Sequence, residues 1–111
     1  MKGKVVLIQF LFDDLSSSKV RPAYCLTNPI GAYHHVIFAL ITSRVQKLSL
    51  ATDILLDDSS ADFSISCLIK LSVIRLDHLI TLRQSMIHRE LGRLSIGTQA
   101  AIAISLALRK I

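Results

Sequence analysis

Aromatic residues make up only 5% of this 111-residue chain, and Trp is absent. There are two Cys, Cys25 and Cys67, too few for a disulfide-dense scaffold. They form no Cys-x-x-Cys pair, which argues against a structural zinc site. The four Gly are scattered at positions 3, 31, 92 and 97, so there is no Gly-rich phosphate loop. Charged residues are 19% of the chain and hydrophobic ones 51%, which excludes a disordered tail. Mean hydropathy is +0.53, yet long apolar runs are lacking. The longest stretch without Asp, Glu, Lys or Arg, residues 22–43, is interrupted by Asn28-Pro29-Ile30-Gly31 and His34-His35. Leu94 to Leu108 spans about 22 Å as a helix, short of the ~30 Å a bilayer core requires. Phe12-Asp13-Asp14 after the first apolar run is no signal-peptidase site. A single domain over residues 1–111, in the cytoplasm and off the membrane, is the expectation.

The formal net charge is +5, and it is unevenly spread. Residues 15–52 contain Lys19, Arg21, Arg44 and Lys47 and no acid. Residues 53–82 are acidic, with Asp53, Asp57, Asp58, Asp62 and Asp77 against Lys70 and Arg75. From Arg83 onward five basic residues face only Glu90. An acid-free basic segment is either a polyanion-binding surface or a solvated face without a partner.

Strand-length apolar and β-branched runs come first. Lys4–Phe12 is apolar on both faces and reads as a central strand. Pro22–Asn28 reads as a second strand with Pro at its first position. Asn28-Pro29-Ile30-Gly31 is turn chemistry, and His34–Thr42 is a third strand. Asp53–Leu56 reads as a short fourth strand, and Asp57–Asp62 as an exposed acidic loop. Ile65–Lys70 and Ser72–Leu76 read as strands separated by a kink. Leu79–Leu82 and Met86–Leu91 fit short strands or helical turns, after which Gly92 breaks the pattern. Thr98 is a plausible N-cap for a helix to about Arg109. That helix is apolar almost all round and should bury against the sheet, a second subunit, or both. Strands first and a terminal helix last predict a mainly β fold of the α+β kind: a small, partly open antiparallel β-barrel with a C-terminal helix.

Opposed residues of an antiparallel hairpin have a constant index sum. The turn at Pro29–Ala32 centres this sum near 60–64, which sets Arg21 across from Thr42 or nearly so. The loop before the second strand and the loop after the third then share one end of the sheet, the acid-free end. A guanidinium beside a hydroxyl, with Ser and Lys nearby, suits a phosphate. A rim salt bridge from Arg21 to Asp13 or Asp14, with Thr42 an ordinary strand residue, fits the same residues.

Three blocks resemble the MazF/PemK-type toxins in order along the chain. Gly3-Lys4-Val5-Val6-Leu7-Ile8 through Ser18-Lys19-Val20-Arg21-Pro22-Ala23 is similar to that family's N-terminal block, including an Arg-Pro-Ala step. Ala39-Leu40-Ile41-Thr42-Ser43 resembles its third strand and Thr-Ser loop, and Leu91-Gly92-Arg93-Leu94-Ser95 its C-terminal end. The resemblance implies an SH3-like barrel acting as a homodimer. It also implies metal-independent cleavage of single-stranded RNA without a cofactor, and neutralisation by a cognate antitoxin protein. By resemblance, Arg21 and Thr42 are the catalytic residues. The RNA 2′-OH attacks the adjacent phosphate, Arg21 stabilises the phosphorane, and Thr42 hydrogen-bonds a phosphate oxygen. Ser17, Ser18, Lys19, Ser43 and Arg44 would line the RNA groove. The same fold also serves CcdB-like gyrase poisons and non-catalytic binding proteins, and these need neither Arg21 nor Thr42.

Among other candidates, His34 and His35 are strand neighbours and point to opposite faces, so they do not share a site. They also lie at the hairpin turn, away from Arg21. Both Cys25 and Cys67 are expected to pack as small hydrophobes, and a mid-strand Cys25 is not placed to serve as a nucleophile. With so few aromatics, RNA is expected to be held mainly through its backbone.

Overall fold

The apolar runs fold into one antiparallel sheet. The computed structural model describes residues 1–11, 18–43, 53–56, 61–68 and 70–107. The strands are β1 (Lys4–Leu11), β2 (Ser18–Cys25), β3 (His35–Thr42), β4 (Asp53–Leu56), β5 (Ser72–Arg83) and β6 (Ile87–Arg93). The helices are α1 (Ala61–Ser66) and α2 (Ile96–Ala107). Strand order is β4-β5-β3-β2-β1-β6, an open sheet that curls into a half-barrel with α2 at the C-terminal end. Among the described residues no helix is long and apolar enough to cross a membrane.

Both faces of the central strands are buried, because the curled sheet has two cores. Val5, Tyr24, Ala39, Ile41, Ile74 and Leu76 pack with Leu94 and Ile102 on the face covered by α2. Val6, Ile8, Ala23, Cys25, Val36 and Phe38 form the second core inside the curl, against Leu40, Ile80, Leu82 and Ile87. The continuous apolar runs of β1 and β3 have this cause: residues of either parity find a core.

Several sequence expectations are corrected. β2 begins at Ser18, so Pro22 lies mid-strand, opposite Leu7 of β1. Ile65 and Ser66 belong to α1 rather than to a strand; the helix ends where Cys67 takes a left-handed φ of 59°. The expected separate strands Ser72–Leu76 and Leu79–Leu82 are one strand. Its register against β3 shifts between Arg75 (opposite Leu40) and Leu79 (opposite Ala39). Leu76-Asp77-His78 is therefore a bulge, which bends the strand without ending it. Gly92 sits inside β6 opposite Val5 and does not break it. Cys67 is exposed, so only Cys25 packs as a small hydrophobe.

The N-cap of α2 is Ser95 rather than Thr98. The Ser95 hydroxyl accepts from the Thr98 amide at 3.3 Å. Asp62 was expected in an exposed loop, but it is buried in the first turn of α1 and completes this cap from a distance. Its carboxylate accepts from the Ser95 amide at 2.8 Å and from the Thr98 hydroxyl. It also complements the positive end of the α2 dipole. Burial opposes its ionisation, but the hydrogen bonds from Thr98 and Ser95 outweigh that and hold its pKa below the usual carboxylate value. A lowered folded pKa contributes stability above the unfolded value of about 3.9, and that stability is lost as pH falls through the folded value. Asp62→Ala is expected to cost about 2–3 kcal/mol at neutral pH. In urea melts the difference from wild type should shrink steadily below about pH 4. An undiminished difference at the lowest pH at which the chain folds would refute this account.

Candidate active site

β2 and β3 are paired through Ala23 and Leu40, Tyr24 and Ala39, and Cys25 and Phe38. All three pairs share one index sum, and Arg21 and Thr42 fall at that sum two residues beyond the last pair, Ala23 and Leu40. On its other side Arg21 is paired with Ile8 of β1, and Thr42 is paired with Val73 of β5. Strand alternation then fixes the faces. Ala23 and Cys25 of β2, and Phe38 with its neighbour Leu40 of β3, lie on the inner face of the curl. Arg21 and Thr42 are each in step with them and share that face. Arg21 is exposed and Thr42 half-buried, so the pair stands where the inner core meets solvent.

Ser43 follows Thr42 and is exposed. Ser18 and Lys19 form the start of β2, with backbones opposite Leu11 and Phe10. Ser17 and Arg44, and the acids Asp13 and Asp14, lie outside the described residues.

The structure adds two residues that sequence reading passed over. Arg75 of β5 stands opposite Leu40 and, by alternation from Ile74, on the inner face. Its Nε and Nη2 donate to the two carboxylate oxygens of Asp77, both at 3.2 Å. This forked pair is about three-quarters buried on each side. The hydrogen bonds from Arg75 are the main reason the Asp77 pKa falls below the usual carboxylate range. At neutral pH Asp77 is therefore ionised, and the Arg75 guanidinium has a fixed orientation. A signal existed in the sequence: Arg-x-Asp within a strand puts both side chains on one face. Its meaning depended on the bulge and on β3 as neighbour, which the sequence does not display. His78 Nε2 lies 3.6 Å from the same carboxylate.

Other chemistry is remote from this rim. His35 is paired with Arg83, at the opposite end of β3 from Thr42. Cys25 is fully buried, and its thiol pKa is pushed up to about 12, chiefly by burial. It is accordingly no nucleophile at neutral pH. A thiol-alkylating reagent is expected to modify Cys67 and leave Cys25 untouched until the protein unfolds, as read by mass spectrometry of the two peptides. Among the described residues no group of three or more His, Cys, Asp or Glu is placed to hold a metal ion.

No curated protein matches the chain. Solved structures do. A Mycobacterium tuberculosis toxin, MazF-mt6, superposes with TM-score 0.69 at 24% identity, covering 94% of this chain and 92% of that one. A second structure, described as a crystal structure of an Mtb toxin, gives 0.66 at 24% identity, covering 94% and 97%. An endoribonuclease in complex with its cognate antitoxin, from a mycobacterial species, gives 0.64 at 18% identity, covering 96% and 88%. At these identities the likeness establishes the fold, the half-barrel with a C-terminal helix. The sequence profile of the PemK-like, MazF-like toxins of type II toxin–antitoxin systems matches residues 1–109. Whole-chain agreement with that profile, on a fold shared with MazF toxins, places this protein in the PemK-like, MazF-like family of type II toxin–antitoxin toxins.

Proposed function

We propose that the chain is a metal-independent endoribonuclease that cleaves single-stranded RNA, such as mRNA, at the Arg21–Thr42 rim. The reading is supported by strand alternation, which assigns Arg21 and Thr42 to one face at the index sum of the β2–β3 pairs, in a chain of the toxin family. The RNA 2′-oxygen loses its proton and forms a bond to phosphorus. The P–O5′ bond breaks, and the leaving 5′-oxygen takes up a proton. The products are a 2′,3′-cyclic phosphate and a 5′-OH. Arg21, permanently charged and bidentate, stabilises the extra negative charge on the pentacoordinate phosphorus. Thr42 donates to a non-bridging oxygen. A permanently protonated guanidinium is a poor proton acceptor, so the 2′ proton is assigned to solvent water at this exposed rim. Ser17, Ser18, Lys19, Ser43 and Arg44 are proposed to bind the RNA through its phosphates.

The toxin is proposed to act in the cytoplasm as a homodimer restrained by a cognate antitoxin. Support for the antitoxin comes from the type II family and from the similar endoribonuclease solved with its own. Support for the dimer comes from α2, where Ile102 is buried but Ile96 and Ile104 are 84% and 60% exposed. The test is incubation of the purified protein with mixed-sequence single-stranded RNA in excess EDTA, with end-group analysis of the products. Cyclic phosphate and 5′-OH ends are expected. Intact RNA, or cleavage only after a divalent cation is restored, would overturn the reading.

A further inference from the structure

One of the chain's two Tyr is spent at the tip of the β2–β3 hairpin. Tyr33 is 66% exposed, an unusual place for a large ring in a chain so poor in aromatics. It is held by its neighbours. The Arg83 guanidinium carbon lies 5.2 Å from the ring centroid, and the His35 ring packs at 6.2 Å between centroids, tilted by 55°. The tip itself is pinned. Ile30 and His35 exchange backbone hydrogen bonds of 2.8 and 3.0 Å, and the Gln84 amide donates to the His34 carbonyl at 2.8 Å.

The hairpin and the facing β5–β6 turn carry basic residues and no acid in their own sequence. Residues 15–52, which include the hairpin, contain no Asp or Glu, and neither do residues 78–89 at the β5–β6 turn. The N-terminal ammonium donates to Asn28 at 3.1 Å, at the foot of the same hairpin. A held, exposed ring with a cation against it, on a hairpin whose own residues include no Asp or Glu, is complementary to a nucleobase on a polyanionic strand. A purely apolar partner would have no use for the Arg.

We propose that the hairpin tip is a second contact for single-stranded RNA, where one base stacks on Tyr33 beside Arg83. The proposal rests on the ribonuclease reading and deepens it. Thr42 and His35 are the two ends of the eight-residue β3, about 23 Å apart at 3.3 Å per residue. RNA cleaved at one end of the strand is thus gripped by a base at the other. Backbone contacts hold the strand at the rim, and stacking anchors it at the tip.

The experiment is fluorescence anisotropy with a 2′-O-methyl RNA dodecamer, which lacks the 2′-OH and is not cleaved. Tyr33→Ala is expected to weaken binding by roughly five- to a hundredfold, and Tyr33→Phe to bind nearly as wild type. A dodecamer of abasic residues should bind wild type and Tyr33→Ala equally. Since Tyr33 is mostly exposed, the variants should melt as wild type does. Equal dodecamer affinity of Tyr33→Ala and wild type overturns the stacking proposal and leaves cleavage at Arg21 standing. A change of sedimentation coefficient in Tyr33→Ala with unchanged affinity also overturns it, and assigns the tip to a seam between two copies of this chain. No binding of any strand by the wild type overturns both readings.

Discussion

Arg21→Ala is expected to lower RNA cleavage about a hundred- to a thousandfold, the size of effect seen when one donor to a developing oxyanion is removed. The loss should fall on kcat more than on KM. In the proposed reaction the charge facing Arg21 grows on going from the four-coordinate phosphate to the phosphorane, which makes its contact strongest in the transition state. Arg21→Lys should recover little of the lost rate, because an ammonium does not reproduce the two parallel donors of a guanidinium. Thr42→Val keeps the shape of the side chain and removes the hydroxyl; a tenfold to hundredfold loss is expected, the worth of one hydrogen bond to a charged group. A urea melt of Arg21→Ala beside wild type separates lost folding from lost chemistry; among the described side chains of β2 the buried ones are Ala23, Tyr24 and Cys25, and Arg21 is exposed. A variant that folds as wild type does and cleaves at the wild-type rate would remove Arg21 from the mechanism.

Much of this arrangement was legible in the residues. The Asn28–Gly31 turn sets the hairpin, and counting outward from it gives an index sum near 60–64, within which the observed pairs from Ala23–Leu40 to Cys25–Phe38 fall. The turn and the paired strands are local, so their geometry follows from short-range rules. What the sequence hid depends on distant contacts. Ala61–Ser66 is too short to show helical periodicity, and its stability comes from packing on β6 and from the Asp62 link to α2. Asp62 sits at the end of an acidic run, and only the arrival of Ser95 and Thr98 from more than thirty residues away distinguishes it from a solvated charge. The Arg75–Asp77 pair was hidden similarly. Its two residues are close in sequence, but their setting follows from β5 crossing to lie beside β3 and from the bulge between Arg75 and Leu79. Pro22 misled for a simpler reason. A Pro favours the first position of a strand, but the β2–β3 pairs end at Ala23, so Pro22 sits mid-strand just beyond that ladder.

Gly92→Ala is expected to destabilise the fold by about 3 kcal/mol or somewhat more, the upper range for forcing volume into a packed site. A Cβ at this position would lie 2.2 Å from the Ile65 carbonyl oxygen and 2.7 Å from the carbonyl carbon and oxygen of Ser66. These are backbone atoms at the end of α1, so no side-chain rotation relieves the clash; the helix has to move. Its movement is resisted at three points. Ser66 is fully buried, and its hydroxyl donates to the Phe63 carbonyl at 2.7 Å while accepting from the Leu68 amide at 3.3 Å. Asp62, one turn earlier, is tied to Ser95 and Thr98. Leu94, two residues beyond Gly92, is buried with Ile102 in the helix-covered core. A single methyl group therefore strains the joint at which α1, β6 and α2 meet. Gly97→Ala is the control. Its new Cβ would meet only the Ser95 hydroxyl, at 4.0 Å, within α2, where Ala is the better helix former. Urea midpoints should move in opposite directions, down sharply for Gly92→Ala and level or slightly up for Gly97→Ala. Equal midpoints for the two variants would mean that α1 does not press on β6 as the structure has it. The rim at Arg21 and Thr42 lies on strands β2 and β3, away from this joint. Under conditions where Gly92→Ala remains folded, its RNA cleavage should match wild type, which separates the residues that hold the barrel together from those proposed to carry the reaction.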